Sequence, residues 1–265
     1  MSERFHKLVN LMAALRAPDG CPWDRKQTHE SLKPYLLEET YEVLEVLDRQ
    51  DRAKLPEELG DVLLQVLFHC QIASETGSFT IEDVLEQLGD KLIRRHPHVF
   101  GNGAADPIPT NADQVVARWE EIKRTERQAS GRPDSMLDGV PQTMPALLRA
   151  YQLQARASRV GFDWTNIEGV FDKVREEIAE LQAEDSKERR TEEMGDLLFA
   201  LVVLAEWMGI NAEEALRRAN DKFIRRFTAM EQAIVTEGGK LRGMSVDEMD
   251  TFWNRVKRDE QQSPA

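Results

Sequence analysis

The chain has 265 residues, 41% hydrophobic and 31% charged, enough for one large domain or two modest ones and too apolar for a disordered protein. Its formal net charge of −13 argues against broad nucleic-acid binding, which needs a basic surface. Two cysteines, Cys21 and Cys70, form neither a CxxC motif nor a disulfide framework, and no stretch reads as a signal peptide or a membrane span; a cytoplasmic protein is expected.

Helix-period apolar positions run through 32–47, 57–74, 81–95, 112–127, 144–159, 167–183, 191–208 and 212–237. No segment alternates as a strand would, so the expected fold class is all-α. Breaks rich in proline and glycine fall at 17–22, 101–109 and 131–141. The last divides the chain into a helical module 1–130, a linker 131–143 and a second module 144–265. The halves repeat each other. CPWD (21–24) is matched by GFDW (161–164), and LLEETYEVLEVL (36–47) by VREEIAELQ (174–182). ELGDVLLQVLF (58–68) is answered by EMGDLLFALVV (193–203), DKLIRR (90–95) by DKFIRR (221–226), and RWEEIKRTE (118–126) by FWNRVKRDE (252–260). Matched segments in one order indicate a duplicated helical module.

An arbitrary pair of glutamates usually marks a solvated helix face, but the positions here do not fit that reading. At roughly 100° per residue, Leu36, Thr40, Val43, Leu44 and Leu47 form an apolar side. Glu39 falls between Val43 and Val46, and Glu42 sits on the rim one turn away. In the next helix 62–73 is apolar nearly all round, yet Glu58 and Asp61 project among its side chains. An ionised carboxylate in such surroundings needs a partner charge or a metal. Glu39, Glu42, Glu58 and Asp61 therefore ask for a counter-charge. The second half reproduces the set as Glu177, Glu180, Glu193 and Asp196. Gly60 and Gly195, between the paired acids, imply close helix packing there. Metal is favoured over buried salt bridges with Lys or Arg. A donor set made only of oxygen suits Mg²⁺, Mn²⁺ or Ca²⁺ rather than Zn²⁺, and Mg²⁺ completes its shell with water and substrate phosphates.

A polyphosphate also calls for cations. Lys91 and Arg95 are one helical turn apart, as are Lys222 and Arg226, and Asn220 stands where the first half has Gly89. An amide at 220 can hydrogen-bond a base or sugar. Trp23, Trp119, Trp164 and Trp253 lie in loops or at module ends, where tryptophan can stack on a base, although core packing is commoner. His96 and His98, with Pro97 between them, read as a packed turn.

The run Leu37-Glu38-Glu39-Thr40-Tyr41-Glu42, followed by Glu58-Leu59-Gly60-Asp61, resembles the EExxE…ExxD signature of the MazG family of nucleoside triphosphate pyrophosphohydrolases. GCPWD, RRHPHVFG and GFDW strengthen the resemblance, which spans the tandem arrangement of full-length bacterial members. It implies an all-α homodimer, Mg²⁺ held by the motif acids, and hydrolysis of NTP or dNTP to the monophosphate and pyrophosphate. Several bases would be accepted, in a housekeeping role on nucleotide pools. The second-half ligands it implies are Glu177, Glu180, Glu193 and Asp196, with nucleotide contacts from Lys173, Lys222, Phe223, Arg226 and Trp253. The first half keeps Glu39, Glu42, Glu58, Asp61, Lys91 and Arg95 but departs at Gly89 and in HPHVFG, which bears on its turnover rather than its metal binding. Mg²⁺ is expected to polarise the phosphoryl oxygens and activate water. Lys222 and Arg226 would neutralise developing charge, and a motif glutamate would orient the water. The alternatives are an enzyme acting on guanosine tetraphosphate-type alarmones and a non-catalytic, metal-binding helical interaction protein. No membrane or extended nucleic-acid partner is expected, and a protein regulator is left open.

Overall fold

The computed structural model describes residues 3–101, 109–129 and 135–262, all of whose regular elements are helical. The expected linker thus lies partly, at 131–134, outside the described residues, as does 102–108 of the preceding break. The chain forms two compact units, Met1–Trp119 and Glu120–Ala265.

The first unit holds α1 (Glu3–Arg16), α2 (Pro22–Lys26), α3 (Lys33–Asp48), α4 (Leu55–Glu75), α5 (Ile81–Arg95) and α6 (Pro97–Phe100), and α7 (Ala112–Ala129) runs across the boundary. The second unit holds α8 (Ala146–Ser158), α9 (Ile167–Ala183), α10 (Lys187–Trp207), α11 (Ala212–Thr236) and α12 (Val246–Gln262). Helices α1, α2, α6 and α12 go beyond the segments expected from periodicity alone.

Local chemistry sets the helix ends. Thr80 and Asp83 form a reciprocal capping box at the start of α5, with Thr80 N–H donating to Asp83 Oδ2 at 2.6 Å. Asn166, Ser186 and Asn211 cap α9, α10 and α11 through side-chain oxygens, each worth about 1 kcal/mol. Pro97 cannot continue α5, which stops at Arg95. Helix α10 closes where Gly209, at φ +70°, lets the Ile210 N–H reach back to Ala205 O at 2.8 Å.

In each unit one long helix pair carries the motif acids: α3 packs on α4, and α9 on α10. The core of the first unit gathers Met12, Leu32, Leu67, Phe68, Cys70, Ile72 and Ile81. Each large apolar side chain removed from water contributes about 1.5–3 kcal/mol. The second unit buries Val170, Val174, Ala200, Val202, Val203, Met230 and Ile234.

Two expectations about packing need correction. A side chain added at Gly60 or Gly195 would meet nothing within 4 Å, so neither glycine marks close helix approach within the chain; both are exposed. The apolar stripe of α3 is also not its buried face. Leu36, Leu44 and Leu47 are exposed, and the buried residue of α3 is Val46. Helix α3 packs on α4 through one side only, which leaves the stripe outside.

Candidate active site

Glu177 is the most deeply placed of the motif acids, at 4% exposure. It lies on the α9 face that also buries Val170 and Val174. One oxygen, Oε1, accepts from Lys173 Nζ at 2.7 Å, while Oε2 is buried with no hydrogen-bond partner. Lys173 sits one turn earlier and also reaches Glu176 Oε1 at 2.8 Å. Hydrogen bonds from Lys173 to Glu176 and then Glu177 hold its ammonium well above the ordinary lysine range.

Carboxylate oxygens of Glu177, Glu180 and Glu193 lie within 4.8 Å of one another. Loss of hydration raises the pKa of Glu193, and the charges of Glu180, Asp196, Glu177 and Glu184 raise it further. Asp196 thus shares the field of the cluster without joining its closest triad, and it is exposed. Like charges held this close, with a buried oxygen left unpaired, form a site short of positive charge. The donors are all hard oxygens, so the residues fit a hard divalent cation.

The acids of the first unit also converge. Glu39 is half-buried; burial raises its pKa, the charges of Asp61, Glu42 and Glu38 add to that, and a hydrogen bond with Gln65 opposes it. Glu58 is raised by lost hydration and then by Glu42, Glu57 and Asp61, against Lys54. All four acids therefore act on one another, as their spacing predicts. Among the described residues, however, no three of them approach as closely as Glu177, Glu180 and Glu193 do.

The cations of the second half lie on α11. Lys222 is exposed, and no described residue pairs with it. Arg226 is half-buried and donates from Nε to Glu260 Oε2 at 2.7 Å. Asn220 is exposed on the same helix. Phe223 is 56% exposed and meets the Trp253 ring of α12 at 5.5 Å between centroids. In the first half Lys91 is exposed and Arg95 half-buried.

A family model for the MazG nucleotide pyrophosphohydrolase domain matches residues 27–100 and 165–229. The chain is 46% identical over 253 residues to the nucleoside triphosphate pyrophosphohydrolase/pyrophosphatase MazG of Thermotoga maritima, covering 96% of this chain and 95% of that protein. It is 46% identical over 263 residues to the nucleoside triphosphate pyrophosphohydrolase of Escherichia coli K12, covering 97% and 98%. A Bacillus subtilis protein, YabN, matches at 46% over 98% of this chain but only 53% of its own length.

The chain belongs to the MazG nucleotide pyrophosphohydrolase family. Both matched segments contain the acid motifs, one in each unit, so the MazG domain is present in tandem.

Other phrases that carried the MazG resemblance have structural work. In CPWD and just beyond it, the backbone oxygens of Asp24 and Gln27 accept from Arg16 Nη1, and Arg16 also grips Glu75 through two bonds of 2.8 Å. Trp23 packs edge-on against Tyr35 and Phe68. In GFDW, Asp163 accepts from Ser158 Oγ at 2.6 Å, Trp164 N at 2.8 Å and Trp207 Nε1 at 3.1 Å. Burial opposes its charge, but these bonds win and hold its carboxyl below the usual range. His96 lies edge-on to Trp119, as a packed turn requires.

Sequence reasoning missed three partners: Gln65 beside Glu39, Lys173 as the cation on Glu177, and Glu260 across from Arg226. Lys173 was named only as a nucleotide contact, although it lies one turn before Glu177, the spacing at which opposite charges on a helix meet. The Lys173 bond also means that the less favoured salt-bridge reading holds for one oxygen of one acid. Gln65 and Glu260 come from other helices, and no local pattern marks them.

Proposed function

We propose that this MazG-family chain hydrolyses nucleoside triphosphates, NTP or dNTP, to the monophosphate and pyrophosphate, with Mg²⁺ held by the acids of the second unit. Family membership supports the reaction class. The observation that carries the site is the buried, unpartnered Oε2 of Glu177 beside Glu180 and Glu193. Those residues and Asp196 would hold the cation, and Mn²⁺ would substitute. The cation would polarise phosphoryl oxygens and lower the barrier to attack by water.

The chain's own groups do the rest. Lys173, Lys222 and Arg226 bind phosphate oxygens and offset the charge that builds up as pyrophosphate leaves. A motif carboxylate orients the attacking water and accepts its proton. Water attacks directly, without a covalent enzyme intermediate. Phe223 and Trp253 offer ring faces to the base, and Asn220 offers an amide to base or sugar. Stacking accepts every base, which favours a broad base range and a housekeeping role.

The modules of this enzyme are 1–130 and 144–265, joined by 131–143. Its working form is a homodimer: Leu36, Leu44 and Leu47 of α3 in one unit, and Met194, Leu198 and Leu201 of α10 in the other, are exposed in the single chain, and such apolar helix faces call for a partner surface. Chromatographic product analysis over a nucleotide panel, with Mg²⁺ and then with excess chelator, tests the proposal. Monophosphate and pyrophosphate are expected only with the cation. Diphosphate and orthophosphate, or full turnover after chelation, would overturn it.

A further inference from the structure

Arg226 and its neighbour Arg225 are both tied to one carboxylate. Glu260 Oε1 accepts from Arg225 Nε at 3.0 Å and Nη2 at 2.7 Å, and Oε2 accepts from Arg226 Nε at 2.7 Å. These bonds hold the Glu260 carboxyl below its ordinary range. Adjacent helical residues point about 100° apart, so Glu260 lies astride the two directions and closes α12 onto α11. Trp253 precedes Glu260 by seven residues, close to two full turns, and falls on nearly the same face of α12.

The atoms used on Arg226 decide what the contact does. Guanidinium donors lie in one rigid plane. Glu260 takes the inner Nε–H, and among the described residues no hydrogen bond from the terminal amino groups of Arg226 is seen. The fork suited to two phosphate oxygens is therefore held in orientation and left open. A carboxylate beside a polyphosphate would ordinarily repel it, but the two-bond contact from Arg225 offsets that charge. The repeat carries the same device in sequence: RWEEIKRTE places Glu126 seven residues after Trp119, as FWNRVKRDE places Glu260 after Trp253, and each half has an arginine pair before it.

We propose that Glu260 is a positioning residue for the triphosphate: it fixes the Arg226 guanidinium so that its terminal amino groups meet phosphate oxygens, with Arg225 neutralising the carboxylate. The inference rests on the reading of Arg226 as a phosphate contact. The test uses the full chain with Mg²⁺ and two competitive probes, inorganic tripolyphosphate and adenosine. Glu260→Gln should weaken tripolyphosphate inhibition about tenfold, the usual weight of one charge-assisted hydrogen bond, and raise KM for ATP more than it lowers kcat. Adenosine inhibition should stay unchanged, because Trp253 and Phe223 remain in place. Arg226→Lys keeps the charge but has no Nε–H, so adding Glu260→Gln to it should cost nothing further.

Equal weakening of both probes by Glu260→Gln would mean that the helix contact is merely structural and would overturn the proposal. So would a Glu260→Gln effect that persists in full on the Arg226→Lys background. If Arg226→Ala binds tripolyphosphate as well as the unaltered chain does, the phosphate-contact reading itself fails, and the proposal fails with it. If Arg226→Ala loses binding while Glu260→Gln does not, only the positioning role fails.

Discussion

Glu177 in the second unit is buried and shares one oxygen with Lys173, whereas its counterpart Glu39 in the first unit is half-buried and bonded to the neutral amide of Gln65. The repeat alignment sets Tyr35 opposite Lys173 and Ala200 opposite Gln65. One unit thus answers its buried acid with a cation on the same helix, the other with an amide from the neighbouring helix. The consequence is visible in the spacing of the acids. A cation offsets mutual repulsion, and an amide can only accommodate one charge by hydrogen bonding. Glu177, Glu180 and Glu193 gather within 4.8 Å, which no three acids of the first unit do among the described residues. The same four-acid pattern therefore gives a drawn-together site in one place and a looser one in the other.

The strongest way to break this comparison is to neutralise one acid in each unit. Glu193→Gln or Asp196→Asn is expected to lower turnover by a hundredfold or more, on the order of the loss when a charge-stabilising group is removed. Glu58→Gln or Asp61→Asn should leave much of the activity. Product chromatography measures the rates, and circular dichroism checks that each variant stays helical. If the order of the two pairs is reversed, the second unit is not the active one.

A smaller effect separates cation from amide. Lys173→Met leaves Glu177 buried without its partner, so the metal-free protein should melt a few degrees lower. Mg²⁺ should recover most of that loss. Gln65→Leu should shift melting less, because Glu39 keeps more water around it. Equal shifts would show that the two partners carry the same weight.

The acid clusters also predict a pH dependence. Glu193, Glu39 and Glu58 have folded pKa values raised above the ordinary 4.5. The native state then binds more protons than the unfolded chain just above pH 4.5, so from these groups stability rises as pH falls toward 4.5. Chemical denaturation of the metal-free protein across that range should show the trend. Glu193→Gln should reduce it, and saturating Mg²⁺ should suppress it in the second unit. A slope that Glu193→Gln leaves unchanged would place the repulsion elsewhere.

The smallest expected effect belongs to the first unit. His29 and His69 stack with Nδ1 atoms 2.7 Å apart, and burial, then His29, depresses the pKa of His69 below 6.5. A depressed folded pKa gives stability that is present above pH 6.5 and lost as pH falls through the lower folded value. This trend is opposite in sign to that of the acids. His69→Gln should remove it without altering turnover, as read by melting temperature between neutral and mildly acidic pH.

Much of this molecule follows from local rules that residues display in the chain. The 3.6-residue period located α5 at 81–95 and α9 at 167–183 with their observed bounds, and Pro97 marked where α5 stops. The converging acids were legible because a carboxylate on an apolar face is costly wherever the helix docks, and because the pattern occurs twice. Helices α1 and α12 escaped this reading: α12 is strongly polar, α1 is largely apolar, and the placement of both comes from the helices they pack against. Gly60 and Gly195 misled for the same reason, since a glycine's neighbours cannot be read from its own helix. The partners that Glu39 and Arg226 found were likewise decided by tertiary structure. Lys173 lies within reach along α9, but Gln65 and Glu260 meet Glu39 and Arg226 only because α4 docks on α3 and α12 on α11, and such contacts depend on helix rotation and crossing, quantities that no short spacing in a sequence encodes.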